Sequence, residues 1–223
     1  MKKALLGWAL FVCLLCMSVV SMAAHDERLP DGVNGILAGR AWDGYEVTEV
    51  DGHTEWGVSR DVIAAILSKG KRNTLCLFTD TSGEWKLVVK REKALYAGDQ
   101  PVSLNFPDET LVISYDFNDR IEEYCFAPEG KKKEKWKMEW VRVLRDIHMD
   151  PDTANRSAEV VEIKPTGSGL TYRSFHEETN KPESETAKKT TVSGVIYTDL
   201  DEFSVYSFPK SISKARQLSL IHI

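Results

Sequence analysis

Ser59-Arg60-Asp61-Val62-Ile63-Ala64-Ala65-Ile66-Leu67-Ser68-Lys69-Gly70 admits two readings. With Ser59 as a cap, Gly70 as a stop, and Val62, Ile63, Ile66 and Leu67 on one face, it is a helix. The same apolar run is also a strand buried on both sides. A weak internal similarity favours the strand. A shift of 49 residues lays Val62-Ile63-Ala64 on Leu111-Val112-Ile113, Lys69-Gly70-Lys71 on Asn118-Asp119-Arg120, and Leu75-Cys76-Leu77 on Tyr124-Cys125-Phe126. A hairpin two residues longer in the second stretch then brings Trp85-Lys86-Leu87 onto Trp136-Lys137-Met138. Residues 111–115 carry the β-branched and aromatic side chains of a strand, and the similarity extends that assignment to residues 61–67.

The flanking sequence follows the same period-two pattern. Residues 45–50 alternate and end at Asp51-Gly52, a strong hairpin signal because a type I′ turn needs positive φ at both central positions. Residues 53–57 form the expected returning strand. Residues 74–79 and 85–90 flank the turn Thr81-Ser82-Gly83, with Trp85, Leu87 and Val89 expected on one face. Further strands are expected at 102–106, 111–116, 122–127 and 136–144, the last with Trp136, Met138 and Trp140 on one face. Others follow at 158–163, 170–175, 192–198 and 202–208. Residues 32–44 are glycine-rich and loop-like, residues 177–189 are polar without apolar period and read as a mobile loop, and Pro209 opens a short C-terminal helix ending by Gln217. The fold class expected is all-β, mainly an antiparallel meander. A β-sandwich or open barrel is preferred, and propeller-like blades are the alternative. Residues 24–150 form a meander domain containing the two similar stretches, 61–90 and 110–141. Residues 151–217 add strands to the same domain or to a second small one.

The ends of the chain carry different information. Met1-Lys2-Lys3, an uncharged apolar run over residues 4–20, and Ser21-Met22-Ala23 make residues 1–23 a secretory signal peptide cleaved before Ala24. No membrane insertion is expected after cleavage, because the run barely reaches the ~17–25 residues a spanning helix needs. Leu218-Ser219-Leu220-Ile221-His222-Ile223 reads as the in-frame translation of a transposase library adapter, so the native sequence is expected to continue past Gln217. Between these ends lie 27 Lys and Arg against 34 Asp and Glu. An acidic chain without a concentrated basic face has no electrostatic basis for holding nucleic acid. Cys76 and Cys125 are permitted to pair in an exported protein. They fall at equivalent places of the two similar stretches, which predicts two separate buried thiols.

No strong catalytic motif is present: there is no Gly-x-Ser-x-Gly, no His-Glu-x-x-His, no phosphate-binding glycine loop and no Cys-x-x-Cys. His53 beside Asp51 and Glu55 has the groups of a general base, but sits where a turn would carry polar residues anyway. His176-Glu177-Glu178 has metal-ligand types without a third convergent element. Asp150, Asp152 and Asn155 have the spacing at which calcium loops begin, without the glycine and distal glutamate that complete one. Asp199, Asp201 and Glu202 form an acidic turn that would serve glycoside hydrolysis only if two carboxyls faced each other across a cleft. The lysines at 131–137 suit a solvated hairpin tip. Trp85, Trp136 and Trp140 fall in period with core residues. Trp42 and Trp56, near glycines, are the two tryptophans singled out for ligand contact. No cofactor or metal is expected. The reading is an extracytoplasmic, non-catalytic module that binds a ligand, a cell-wall glycan or a protein partner, or serves as a scaffold. The alternative is a glycosidase-like hydrolase using paired carboxylates.

Overall fold

The computed structural model describes residues 24–53, 61–98, 100–130, 132–151, 155–166, 169–178, 188–193 and 199–206. The signal peptide expected at residues 1–23, Trp56, the C-terminal helix expected after Pro209 and the tail expected to derive from an adapter lie outside these residues. Eleven strands are described: β1 (Glu46–His53), β2 (Val62–Lys69), β3 (Arg72–Thr81), β4 (Glu84–Arg91), β5 (Val102–Asn105), β6 (Leu111–Phe117), β7 (Arg120–Glu129), β8 (Lys135–Met149), β9 (Arg156–Thr166), β10 (Gly169–Glu178) and β11 (Lys188–Ser193). They make two antiparallel sheets that run in chain order, β1 to β4 and β5 to β11. The all-β meander is thus the architecture, and neither sheet closes on itself. Strands β9 to β11 continue the sheet begun by β5, across the position where the sequence left a second domain open.

Side chains from both sheets share one core. Val62, Ala64, Ile66, Leu75, Leu77 and Val89 of the small sheet pack with Leu111, Ile113, Tyr115, Tyr124, Phe126, Met138, Val141 and Ile163 of the large one. The opposite face of the small sheet is covered too. Ile63, Ala65, Leu67, Cys76 and Phe78 point away from the shared core and pack under the helix α1 (Asp31–Leu37) with Leu29, Val33, Leu37 and Trp42. Burial on both faces is why β2 reads as an unbroken apolar run.

The helix corrects the loop expected at 32–44. Its sequence, Asp-Gly-Val-Asn-Gly-Ile-Leu, has poor intrinsic propensity because of two glycines. Packing overrides propensity: Val33 and Leu37 are fully buried. The Asn34 amide donates to the carbonyls of Asp26 and Leu29 at 2.9 and 3.0 Å and accepts from the Asp26 N–H at 3.1 Å. Gly32 has a second use, because a Cβ there would lie 2.6 Å from Cδ1 of Trp85.

Three further expectations are corrected. β1 runs straight through Asp51-Gly52, which pair with Ala64 and Ile63 in the ladder and make no turn. The pairing with β2 supersedes a local hairpin, and residues beyond His53 lie outside those described until Asp61. The strand expected at 202–208 is instead a strap of turns over residues 199–206. Leu200, Phe203 and Val205 insert into the shared core. The strap is pinned by Leu200 N–H to Trp136 O (2.8 Å), Val205 N–H to Ala94 O (2.8 Å) and Arg91 Nη2 to Phe203 O (3.1 Å). The polar stretch at 177–189 is strand at both described ends, in β10 and β11.

Of the four register shifts in the described ladders, two change which face the tryptophans share. Between β3 and β4, Leu77 pairs with Val89 and Phe78 with Leu87, leaving Val88 extra. Val89 therefore enters the shared core while Trp85 and Leu87 face α1. Between β7 and β8, Cys125 pairs with Trp140 and Phe126 with Met138, leaving Glu139 extra. Trp136 and Met138 are core residues, and Trp140 turns to the outer face. A bulge inserts one residue and so reverses the period-two pattern beyond it. Independently of these bulges, the two similar stretches share a meander but not the register of their first hairpin: Cys76 lies opposite Ala65, and Cys125 opposite Val112. Both thiols are free and buried.

The edges where the sheets meet are also tied. The Asp51 carboxylate of β1 accepts the Phe106 N–H at 3.0 Å, and Glu49 accepts the N–H of Leu104 in β5 at 3.5 Å. Carboxylates here occupy donors that an open sheet edge would otherwise present to another chain.

Candidate functional site

Of the two tryptophans singled out for ligand contact, Trp42 lies among the described residues and Trp56 does not. Trp42 is only 4% exposed. Its ring and that of Tyr45 meet edge to face with centroids 5.6 Å apart, and the Lys90 ammonium lies 4.5 Å from the Trp42 ring centre. Its flat face is therefore already occupied, as in a cation–π contact. Trp85, assigned to the core by period, is instead partly exposed and lines a surface cleft of about 570 Å3 together with Glu27, Arg28, Leu29, Pro30, Val50 and Asp80.

The chain builds this cleft from two elements. The segment leading into α1 supplies Glu27 to Pro30, and the ends of β3 and β4 supply Asp80 and Trp85, which are directly opposite in the ladder. The hairpin between them is tight: Ser82 and Gly83 both have positive φ, at 65° and 86°. That is the signature of a type I′ turn. Asp80 Oδ1 accepts the Gly83 N–H at 2.7 Å, which holds the carboxylate in place. On the opposite wall Asp26 takes both Nε and Nη2 of Arg28, at 2.8 and 2.7 Å. The side-chain hydrogen bond and charge of Arg28 outweigh partial burial and hold the Asp26 carboxyl below its ordinary value.

The remaining sequence candidates fall elsewhere and do not converge. Asp51 is used in the β1–β5 edge, and its neighbour Glu55 lies outside the described residues. His176 Nδ1 meets Glu159 across the strand at 2.9 Å, while Glu177 approaches Arg142 at 3.8 Å. Among the described residues no three His, Cys, Asp or Glu side chains are grouped to hold a metal. Asp150 donates its N–H to Asn155 O, closing a turn, and Asp152 is outside the described residues. Asp199 forms a bridge with Lys137, and Asp201 and Glu202 are exposed on the strap. Lys133 is not the solvated residue expected of a hairpin tip. Its side chain is 15% exposed and reaches Asp61 at 2.7 Å and Glu109 at 3.6 Å, joining the two sheets.

Sequence pattern did not single out the two acids buried among the described residues, Glu122 and Glu162. Glu122 faces the shared core and accepts three hydrogen bonds: from Tyr96 and Tyr124 hydroxyls, each at 2.9 Å, and from Arg120 Nε at 2.7 Å. Burial, reinforced by the charge of Glu122, pushes the Tyr96 hydroxyl up to about 12 and raises Tyr124 further, so both remain donors at physiological pH. Glu162, on the outer face of the large sheet, has a side chain 3% exposed and takes Arg142 through Nε (2.9 Å) and Nη2 (2.8 Å), with Lys164 at 3.4 Å. The only cue available in sequence was a polar residue in period with apolar neighbours, such as Glu122 before Tyr124 and Phe126.

Comparison with known proteins adds nothing to this geometry: no protein-family model, curated protein or solved structure matches the chain.

Proposed function

We propose that this chain is an exported, non-catalytic β module that works by binding a ligand, a cell-wall component or a protein partner outside the cytoplasm. The order of residues 1–23, basic start, apolar run and small residues, supports export. One observation carries the preference for binding over chemistry. The two carboxylates buried among the described residues, Glu122 and Glu162, are tied to donors of their own chain, and each set of bonds joins residues across or along the sheets. Acid groups used this way rigidify a platform. They are not aimed at a substrate.

Co-sedimentation of the purified chain with insoluble cell wall, alongside assays on glycan and peptide panels, tests the reading. Retention without product formation is expected. Turnover abolished by Asp201→Asn would establish hydrolysis in its place.

A further inference from the structure

We propose that the cleft between α1 and the β3–β4 hairpin is a subsite for a neutral pyranose ring, with Trp85 as the stacking platform. The inference deepens the binding reading and rests on it. Its basis is the inventory of groups left unused in the cleft. Among the described residues, Trp85 Nε1, Asp80 Oδ2, Arg28 Nη1 and the Glu27 carboxylate have no hydrogen-bond partner, whereas Asp80 Oδ1 and the other two Arg28 nitrogens are held fast. Free acceptors on Asp80 and Glu27 and a free donor on Arg28 line the cleft with a flat, largely apolar ring whose own N–H is a further donor. Sugar hydroxyls both donate and accept, and the C–H face of a pyranose is apolar, so one ring engages all of these features. The volume lies in the range of small-ligand sites.

Rigidity adds to the case. Trp85 is backed by Gly32, whose missing Cβ leaves room for the indole at a spacing any larger residue would fill. Asp80 is fixed by its turn bond. A platform held in place before binding loses little freedom when the ligand arrives.

The charge around the cleft selects the kind of sugar. Arg28 is paired with Asp26 at 2.7 Å, so with Glu27 and Asp80 also present the cleft carries net negative charge. A neutral sugar meets no penalty there. A uronate or sugar phosphate meets like charge in a partly desolvated site.

Calorimetric titration of the full chain with chitotetraose and cellotetraose, with tetragalacturonate as the anionic arm, tests the proposal. At least one neutral tetrasaccharide is expected to bind and tetragalacturonate is not. Trp85→Ala should weaken binding by at least about tenfold, Trp85→Phe should retain part of it, and Glu27→Gln, an exposed change that leaves the fold intact, should weaken it about two- to fivefold. Trp42→Phe, under Lys90, should leave affinity unchanged. Sugar binding unaffected by Trp85→Phe, Trp85→Ala and Glu27→Gln would overturn the subsite and leave the binding reading standing. So would retention on cell wall or a protein with no affinity for either neutral sugar. Cleavage of a tetrasaccharide would overturn the binding reading itself.

Discussion

The two sheets solve the same packing problem in different ways. The small sheet is covered on both faces, by the shared core on one side and by α1, Leu29 and Trp42 on the other. The large sheet buries one face in that core, and its outer face carries a ladder in which Glu123, Arg142, Glu162 and Arg173 lie directly opposite one another on β7, β8, β9 and β10. Beside that ladder Leu144, Ala158, Val160 and Phe175 form a separate apolar row. The contrast shows up in sequence as texture. A strand with two buried faces is a solid apolar run, like β2, and a strand with one polar face alternates charge with bulk, like β8 and β9.

Substitutions that strike each coat separately break or sharpen this comparison. Phe126→Ala, in the core that both sheets share, should cost about 3–5 kcal/mol and lower the melting of the whole molecule in chemical denaturation. Ile63→Ala tests the second coat alone. Its side chain is fully buried under α1, so a loss of about 2–4 kcal/mol is expected. A cost below about 0.5 kcal/mol would mean that the helix does not cover the sheet. Glu162→Ala removes the buried acid from the ladder on the large sheet. Because the Arg142 side chain stays 24% exposed and can be rehydrated, the loss should be about 1–3 kcal/mol, less than for a pair fully sealed from water.

A smaller effect carries a sign. Burial, opposed in part by the charges of Arg156 and Arg142, holds the Glu123 carboxyl above its ordinary value. The folded state then binds that proton more tightly than the unfolded chain. Its contribution is complete below the ordinary carboxyl range and is lost as pH rises through the raised value. Glu123→Gln should therefore raise the melting temperature slightly at pH 7, and the gain should vanish toward pH 4. A gain that grew on acidification would contradict the placement of Glu123. The smallest perturbation is chemical. Burial pushes the Cys76 and Cys125 thiols up to about 12 and about 11. Neither should react with a thiol reagent before unfolding, and reduction should leave the mass unchanged.

Much of this contrast was legible beforehand. β2, β3, β6 and the Ser82-Gly83 turn follow from apolar runs and turn chemistry. The failures have distinct physical causes. Asp51-Gly52 is a strong local turn signal that long-range pairing with Ile63 and Ala64 overrode. The helix at Asp31–Leu37 forms against its own propensity because Val33 and Leu37 have a sheet to cover. The strap at 199–206 alternates Phe203 and Val205 like a strand, yet those side chains fill the core from an irregular backbone. The two bulges matter most for function. Val88 and Glu139 each slip the pattern by one, and the first slip puts Trp85 beside the cleft when simple period would count it with Val89. The tryptophan chosen from its glycine neighbours, Trp42, has Lys90 on its face, a contact between residues 48 apart that no local pattern encodes.

One core joins both sheets and the strap into a single cooperative platform. Differential scanning calorimetry of the purified chain tests it most directly. A single transition is expected, with calorimetric and van't Hoff enthalpies equal, and Phe126→Ala should move the whole of it. Two separable transitions, only one of them shifted by Phe126→Ala, would contradict it.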